Sequence, residues 1–454
     1  MILESAWYSR EETDKPLYVQ LYYCIRNEIE MGKIPANHPL PSIRKIKKEL
    51  GLSSTTVENA YNQLMVEGYI YSIPQKGYYA STLDNSFLYI KPVKEKELSP
   101  TKEKYAGEYF DTGLFQFHEW KKIYGRILED FNVRLLQEGD PQGEPELRKA
   151  LSDYVYKARG VMCNPEQIII GAGVQTLLYT FCDITEGMLT KKVAFEEPGF
   201  VDVRPVFQKR GFSLHPVHLD SGGIHVESLT REDVSVCYVS PSHQFPTGLV
   251  MPIQKRVELI KWAEQTNSYI LEDDYDSELR FLGRPVPSLF SLDNSGRVIN
   301  IGSFSTLIAP SLRISYIIVP ERIKARYQKM IQGYRSTVSM AEQLTLAAFI
   351  EEGFFSRHLR RMRKKYSEKL KILISAMAPY QKNITLHHSD TGSFVLLETQ
   401  NSTAADAVRE NSKRIGFEME ELWENFFVFQ YAKIPEDKIQ DFISRIQEES
   451  SSRH

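Results

Sequence analysis

Apolar residues recur at two different periods along this chain, and the change of period divides it. Near the N-terminus Leu17, Leu21, Ile25 and Ile29 stand four apart, the stripe of an amphipathic helix, and Gly32 and Pro35 close it. Pro41-Ser42 opens a second helix. At roughly 100° per residue its Ile43, Ile46 and Leu50 fall within about 60° of one another, and Gly51 stops it. A third helix is predicted from Ser53 to Thr55, with Glu58 three residues after Thr55 forming a capping box. Its buried side is Val57, Ala60, Tyr61 and Leu64, and it ends near Gly68. The stretch GYIYSIPQKGYYAS then sets β-branched and aromatic residues on both sides of a Pro-Gln-Lys-Gly turn, which predicts a hairpin.

From residue 83 to about 106 the period is lost. Charged clusters at 94–96 and 102–104 and two prolines predict an extended linker. Beyond it, short apolar runs at 168–173, 193–198, 234–241, 268–274, 298–304 and 314–320 alternate with amphipathic stretches. Runs of that length, apolar on both faces, predict a buried and mostly parallel sheet covered by helices. The expected organisation is therefore 1–82, a linker over 83–106, and 107–454.

Composition narrows this only locally. The 454 residues exceed one ordinary domain, and 42% hydrophobic with 25% charged residues is ordinary for globular chains. No apolar run approaches the roughly 18 residues of a membrane span. The N-terminus has no basic segment followed by an apolar core, so a cytoplasmic protein is expected. Four scattered cysteines lack any metal-ligand spacing, so neither a disulfide framework nor a metal site is expected. The formal net charge is −3, yet residues 31–80 carry six basic side chains against three acidic ones. Arg44, Lys47 and Lys48 share an arc of about 100° on the second helix away from its apolar face, a surface suited to phosphates. Ser53, Ser54, Thr55 and Thr56 open the third helix, where small hydroxyls reach phosphates and base edges in a major groove. Ser42, and Lys76 with Gly77 at the hairpin turn, complete the candidate DNA surface. Taken singly, each hydroxyl reads equally well as a helix cap and each lysine as a solvated side chain; the ordered set of helix, turn, helix and basic hairpin reads as a DNA-binding module.

Residues 16–81 resemble the GntR family of winged helix-turn-helix regulators, through the leading PLYxQ, LPSxR, TVxxAYxxLxxEGY and the glycine of the wing. Ser54 stands where that family usually carries an arginine, and Asn37-His38 where a glycine is common. Residues 107–445 resemble fold-type-I pyridoxal-phosphate enzymes, and most closely the effector domain of the MocR subfamily of GntR regulators. The resemblance implies a mostly parallel central sheet, a smaller C-terminal α+β subdomain and a homodimer. GAGVQTLL (171–178) puts Gly173, Val174 and Gln175 at a helix start after a strand, where backbone amides hold a phosphate. EEPGF (196–200) offers Phe200 to the pyridine ring, and PSHQFPTG (241–248) brings His243 beside the cofactor. In LEDDYDSELRF (271–281) the resemblance gives Asp273 to the pyridine nitrogen and Tyr275 to the ring hydroxyl. A carboxylate there keeps the nitrogen protonated, which makes the ring an electron sink.

The last motif departs from the family. IGSFSTLIAPSLRISY (301–316) keeps Ser303, Ser305 and Arg313, which resemble the phosphate ligands, but Thr306 occupies the place of the Schiff-base lysine. A hydroxyl neither forms that bond nor shuttles the proton of transamination. In the same way Val428 of FFVFQYA (426–432) takes the place of the arginine that grips a substrate carboxylate, and Arg204 is a weak substitute. Three readings follow. The first is a DNA-binding transcriptional regulator, not an enzyme, whose aminotransferase-like domain dimerises. It would bind pyridoxal 5'-phosphate, a related B6 species, or an amino acid or amine as effector, without a covalent bond. The second is an aminotransferase with an appended DNA-binding domain. The third is a cofactor-free scaffold.

Overall fold

The computed structural model of the chain describes residues 7, 15–82, 114–281, 286–380, 382–387, 391–414, 416 and 419–451. They divide into two units, Met1–Thr101 and Lys102–His454. The stretch expected to be a linker, 83–106, lies outside the described residues.

In the first unit α1 (Leu17–Glu30), α2 (Ile43–Leu50) and α3 (Ser54–Val66) precede a hairpin of β1 (Ile70–Ile73) and β2 (Gly77–Ala80). Leu21, Ile25, Ile29, Ile46, Leu50, Val57, Tyr61, Leu64 and Ile70 form one core. Leu17 departs from its stripe and is 49% exposed, because it is the first residue of α1, a turn beyond the core. Ser42 caps α2 by accepting from Lys45 N at 3.3 Å, and Gly51 ends it in the left-handed region at φ 67°. The cap of α3 is Ser53, which accepts from Thr56 N at 3.1 Å. The helix thus starts two residues before the predicted Thr55–Glu58 capping box, which is not formed. Gln75 and Gly77, at φ 65° and 107°, turn the hairpin, closed by Lys76 N donating to Ile73 O at 3.0 Å.

The second unit holds an eight-stranded sheet in the order β3-β10-β9-β8-β7-β4-β5-β6. Its strands are β3 (Ile168–Gly171), β4 (Lys192–Glu197), β5 (Ser213–Asp220), β6 (Gly223–Ile224), β7 (Val236–Val239), β8 (Tyr269–Asp273), β9 (Val298–Ser303) and β10 (Ser315–Ile318). All six apolar runs are strands. β5 escapes the apolar pattern because it is half exposed and carries Pro216, His215 and His218. Strands β9, β8, β7, β4 and β5 run parallel, while β10 is antiparallel to both its neighbours. Alternation sends Phe195, Tyr238, Leu271 and Ile301 to one covered face. Ala194, Cys237 and Ile270 go to the other. A second sheet, in the order β11-β12-β14-β13, is antiparallel and comprises β11 (Ile384–His387), β12 (Val395–Thr399), β13 (Glu420–Trp423) and β14 (Phe426–Phe429). It is packed by the 24-residue helix Phe354–Met377 and by helices Ser402–Arg414 and Glu436–Ser451. No described helix is long and apolar enough to cross a membrane.

Candidate functional site

In a parallel sheet the carboxyl ends of the strands release loops over one edge, where ligands bind. Asp273 ends β8 there. Its carboxyl is buried, and the Tyr238 hydroxyl of neighbouring β7 donates to Oδ2. Oδ1 is also buried and meets no donor. Burial, with Asp274 and Asp276 adding repulsion, pushes this carboxyl up to about 7 even though the tyrosine bond favours its charged form. His243, on the loop after β7, lies 2.7 Å through Nδ1 from Asp276 Oδ2, with both groups buried. A Cβ on Gly392 would fall 1.9 Å from His243 Cε1, so only glycine leaves room for the ring. Tyr275 donates to the carbonyl of His243 at 2.9 Å. Its hydroxyl is therefore turned to the loop in this structure. Phe200 lies flat against Phe245, centroids 4.8 Å apart at 12°, and edge-on to Tyr275 at 4.9 Å. Asp273 and Tyr275 of one segment, His243 and Phe200, drawn from three stretches of the sequence, thus gather in one place.

A second gathering forms at the start of helix Val174–Ile184. Gly173, at φ 94°, is its N-cap, and a Cβ there would lie 2.2 Å from an Arg313 guanidinium nitrogen. The cradle exists because that position has no side chain, and because Arg313 itself holds a left-handed φ of 51°. The first-turn amides of Val174 and Gln175 have no intrahelical acceptor by construction, while the Gln175 side chain is engaged with Asp202 O at 2.9 Å. Ser303 ends β9, and its Oγ accepts from Ser315 Oγ at 3.0 Å and from Ser305 N at 3.3 Å. Thr306 is exposed in the turn that follows. Val428 of β14 is buried against Phe394 and Leu396, with Phe245 and Tyr275 packed on the same cluster. Arg204 is committed to Glu197 at 2.8 Å and to the carbonyls of Glu196 and Phe200, both at 3.2 Å.

Three residues of this site escape sequence reasoning. Tyr238 looks like one more apolar position of its strand, although a buried tyrosine needs a partner. Asp276 stands in the quoted acidic motif, but its pairing with His243 is tertiary. Glu196 accepts from Ser240 N at 3.1 Å and so anchors the loop that carries His243; burial pushes its carboxyl up to about 8. Chemically, the site offers three buried carboxylate oxygens without a donor, Glu196 Oε1, Asp273 Oδ1 and Asp276 Oδ1, with a cationic cradle at a helix N-terminus and an aromatic floor. Of the three, Asp273 Oδ1 stands at the end of a central strand.

The candidate DNA surface lies on the first unit. Arg44, Lys47 and Lys48 are exposed on α2, and Lys76 and Gly77 at the hairpin turn. Lys47 Nζ reaches Ser54 Oγ at 3.2 Å. Ser53 and Thr56 share a hydroxyl contact of 2.8 Å that serves the start of α3, and Thr55 stands exposed between them.

Residues 17–79 match the model of the "Bacterial regulatory proteins, gntR family", and residues 106–446 that of "Aminotransferase class I and II". The chain is 37% identical to the "Uncharacterized HTH-type transcriptional regulator YdeL" of Bacillus subtilis (strain 168), over 89% of this chain and 88% of that protein. It is 32% identical to the "Probable rhizopine catabolism regulatory protein MocR" of Rhizobium meliloti, over 84% of this chain and 81% of that protein. Among solved structures it is similar in fold to the kynurenine aminotransferase of Pyrococcus horikoshii, crystallised in complex with PMP. The TM-score is 0.66 at 23% identity, covering 76% of this chain and 90% of that one. Two modules in one order, shared along nearly their whole length with named regulators, leave one assignment: the chain belongs to the MocR subfamily of GntR-family transcription regulators, with a fold-type-I aminotransferase-like domain behind its helix-turn-helix.

Proposed function

We propose that residues 1–82 bind a duplex operator and that residues 107–454, beyond a linker over 83–106, pair two chains and bind pyridoxal 5'-phosphate or a related B6 species as a non-covalent effector. The observation that carries the ligand reading is Asp273 Oδ1, buried and without a donor. Leaving such an oxygen unpaired is costly, and a protonated ring nitrogen would satisfy it. Gly173, the amides of Val174 and Gln175, Arg313, Ser303 and Ser305 would hold the phosphate. Phe200, His243 and Tyr275 would border the ring. When bound, the ring supplies an electron sink. Thr306 offers no amine to attach it or to move a proton, which favours a regulator over an aminotransferase.

On the DNA side, Arg44, Lys47, Lys48 and Lys76 would meet phosphates, and the hydroxyls at the start of α3 would approach base edges. Ser42 and Gly77 would bring backbone to the duplex.

Full-length protein mixed with pyridoxal 5'-phosphate should release it on dialysis and give no borohydride-fixed adduct at residue 306 by mass. Thr306→Lys should retain it and show a new visible absorption band. A fixed adduct on the unsubstituted chain would overturn the non-covalent reading. A folded Thr306→Lys protein that takes up no cofactor would overturn the ligand reading in favour of a scaffold. Sedimentation at micromolar concentration should give a dimer, and a genomic selection should return one operator sequence.

A further inference from the structure

Toward the C-terminal sheet the site ends in a wall of rings and aliphatic groups. Phe394, Leu396 and Val428 are buried there as one cluster, with Phe245 and Tyr275 packed on it. Phe394 stacks on His243 at 4.6 Å and meets Phe245 edge-on at 5.3 Å. Phe245 in turn lies flat on Phe200, which ties the wall to the floor of the site.

Among the described residues the cations around it are spoken for. Arg159 pairs with Asp274 at 3.1 Å and donates to Ser242 at 2.6 Å. Arg204 is held by Glu197 and two carbonyls. Arg363 donates to Glu278 O at 2.6 Å. Arg280, bridged through its backbone to Thr391, is engaged as well. Arg313 stands over Gly173, at the phosphate end. The remaining described titratable neighbours are His243, held by Asp276 at 2.7 Å, and the buried acids Glu196, Asp273, Asp276 and Glu278.

An ionised carboxylate brought against such a wall would leave water without gaining a described cation, and the buried acids beside it would offer no positive charge. An alkyl or aryl group would gain by covering its apolar surface there. We infer that the amine sensed with the B6 ligand is an apolar amine without a carboxylate, and not an α-amino acid. The inference rests on the reading of this domain as a B6 site.

Two reduced and stable probes separate the cases: the N-phosphopyridoxyl adducts of isoamylamine and of L-leucine, which differ by one carboxylate. Pyridoxamine 5'-phosphate serves as the common reference. Calorimetric titration of the full-length protein should find the isoamylamine adduct binding at least about tenfold more tightly than the leucine adduct, and more tightly than the reference. Val428→Arg should narrow or reverse that ratio by supplying the missing cation. Should this variant fail to fold, the ratio on the unsubstituted protein still decides. Equal or tighter binding of the leucine adduct overturns the inference and leaves the B6 reading standing. Failure of all three probes to bind overturns both.

Discussion

Arg44, Lys47 and Lys48 of α2 stand in water, whereas Glu196, Asp273, Asp276 and Glu278 of the larger unit are buried. The contrast separates two ways of recognising a ligand. Exposed cations act through a screened field, cost the fold almost nothing, and make binding sensitive to salt. Buried acids have already lost their water, so each is held to a definite partner or left lacking one, and each is tied to stability and to pH. Substitutions in the first region should therefore change binding and spare the fold. Those in the second should change both.

The largest effect is expected at Asp273. If Asp273 partners the ring nitrogen as proposed, replacing it by alanine would remove a charge-assisted hydrogen bond of about 2–3 kcal/mol, and affinity for pyridoxal 5'-phosphate should fall on the order of 30- to 150-fold. Titration by absorbance measures it; an unchanged affinity would detach Asp273 from the ring nitrogen and break the comparison on its buried side.

Next comes the pair Arg44→Ala and Lys48→Ala. Together they should weaken binding to all duplexes by roughly tenfold or more and reduce the slope of log affinity against log salt by about 2. The melting temperature should stay put. A loss of stability in place of a loss of salt dependence would show that these side chains serve the fold.

Glu196 tests the link between burial and pH. Its carboxyl is raised from 4.5 to about 8. Between those values the folded chain keeps a proton that the unfolded chain has released. The contribution to stability is therefore complete at low pH, declines as pH climbs through that window, and is level above it. Glu196→Gln should flatten the decline by about one proton, read from melting curves at pH 5 to about pH 8. Parallel curves for the two proteins would refute the assignment.

The smallest effect sharpens the other side. Ser53→Ala removes the cap of α3 and should cost about 1 kcal/mol of stability in the N-terminal unit, measurable by urea unfolding. Thr55→Ala, two residues further on and exposed, should leave stability unchanged and alter operator preference.

Much of this was legible in order along the chain. Periods near 3.6 located α1 to α3, and the six apolar runs located six strands, because each of these signals depends only on which face of a local element is buried. The candidate ligands of the large domain were legible as motifs, and so was the threonine in place of the lysine. What tertiary structure alone decided is which polar groups find partners. Tyr238 and Asp276 join the site because β7, β8 and the 240–248 loop converge, and nothing local to either residue signals it. Arg204 is withdrawn by Glu197 and two carbonyls, and Tyr275 turns to the loop carbonyl. Ser53 takes the cap that Thr55 was expected to provide. Leu17 is apolar and in phase, yet exposed, because the core stops one turn short of it. Hydrophobic patterning is a property of one segment and can be read from it. A hydrogen bond in the interior joins two segments, and the free energy that selects it depends on the burial that only their packing creates.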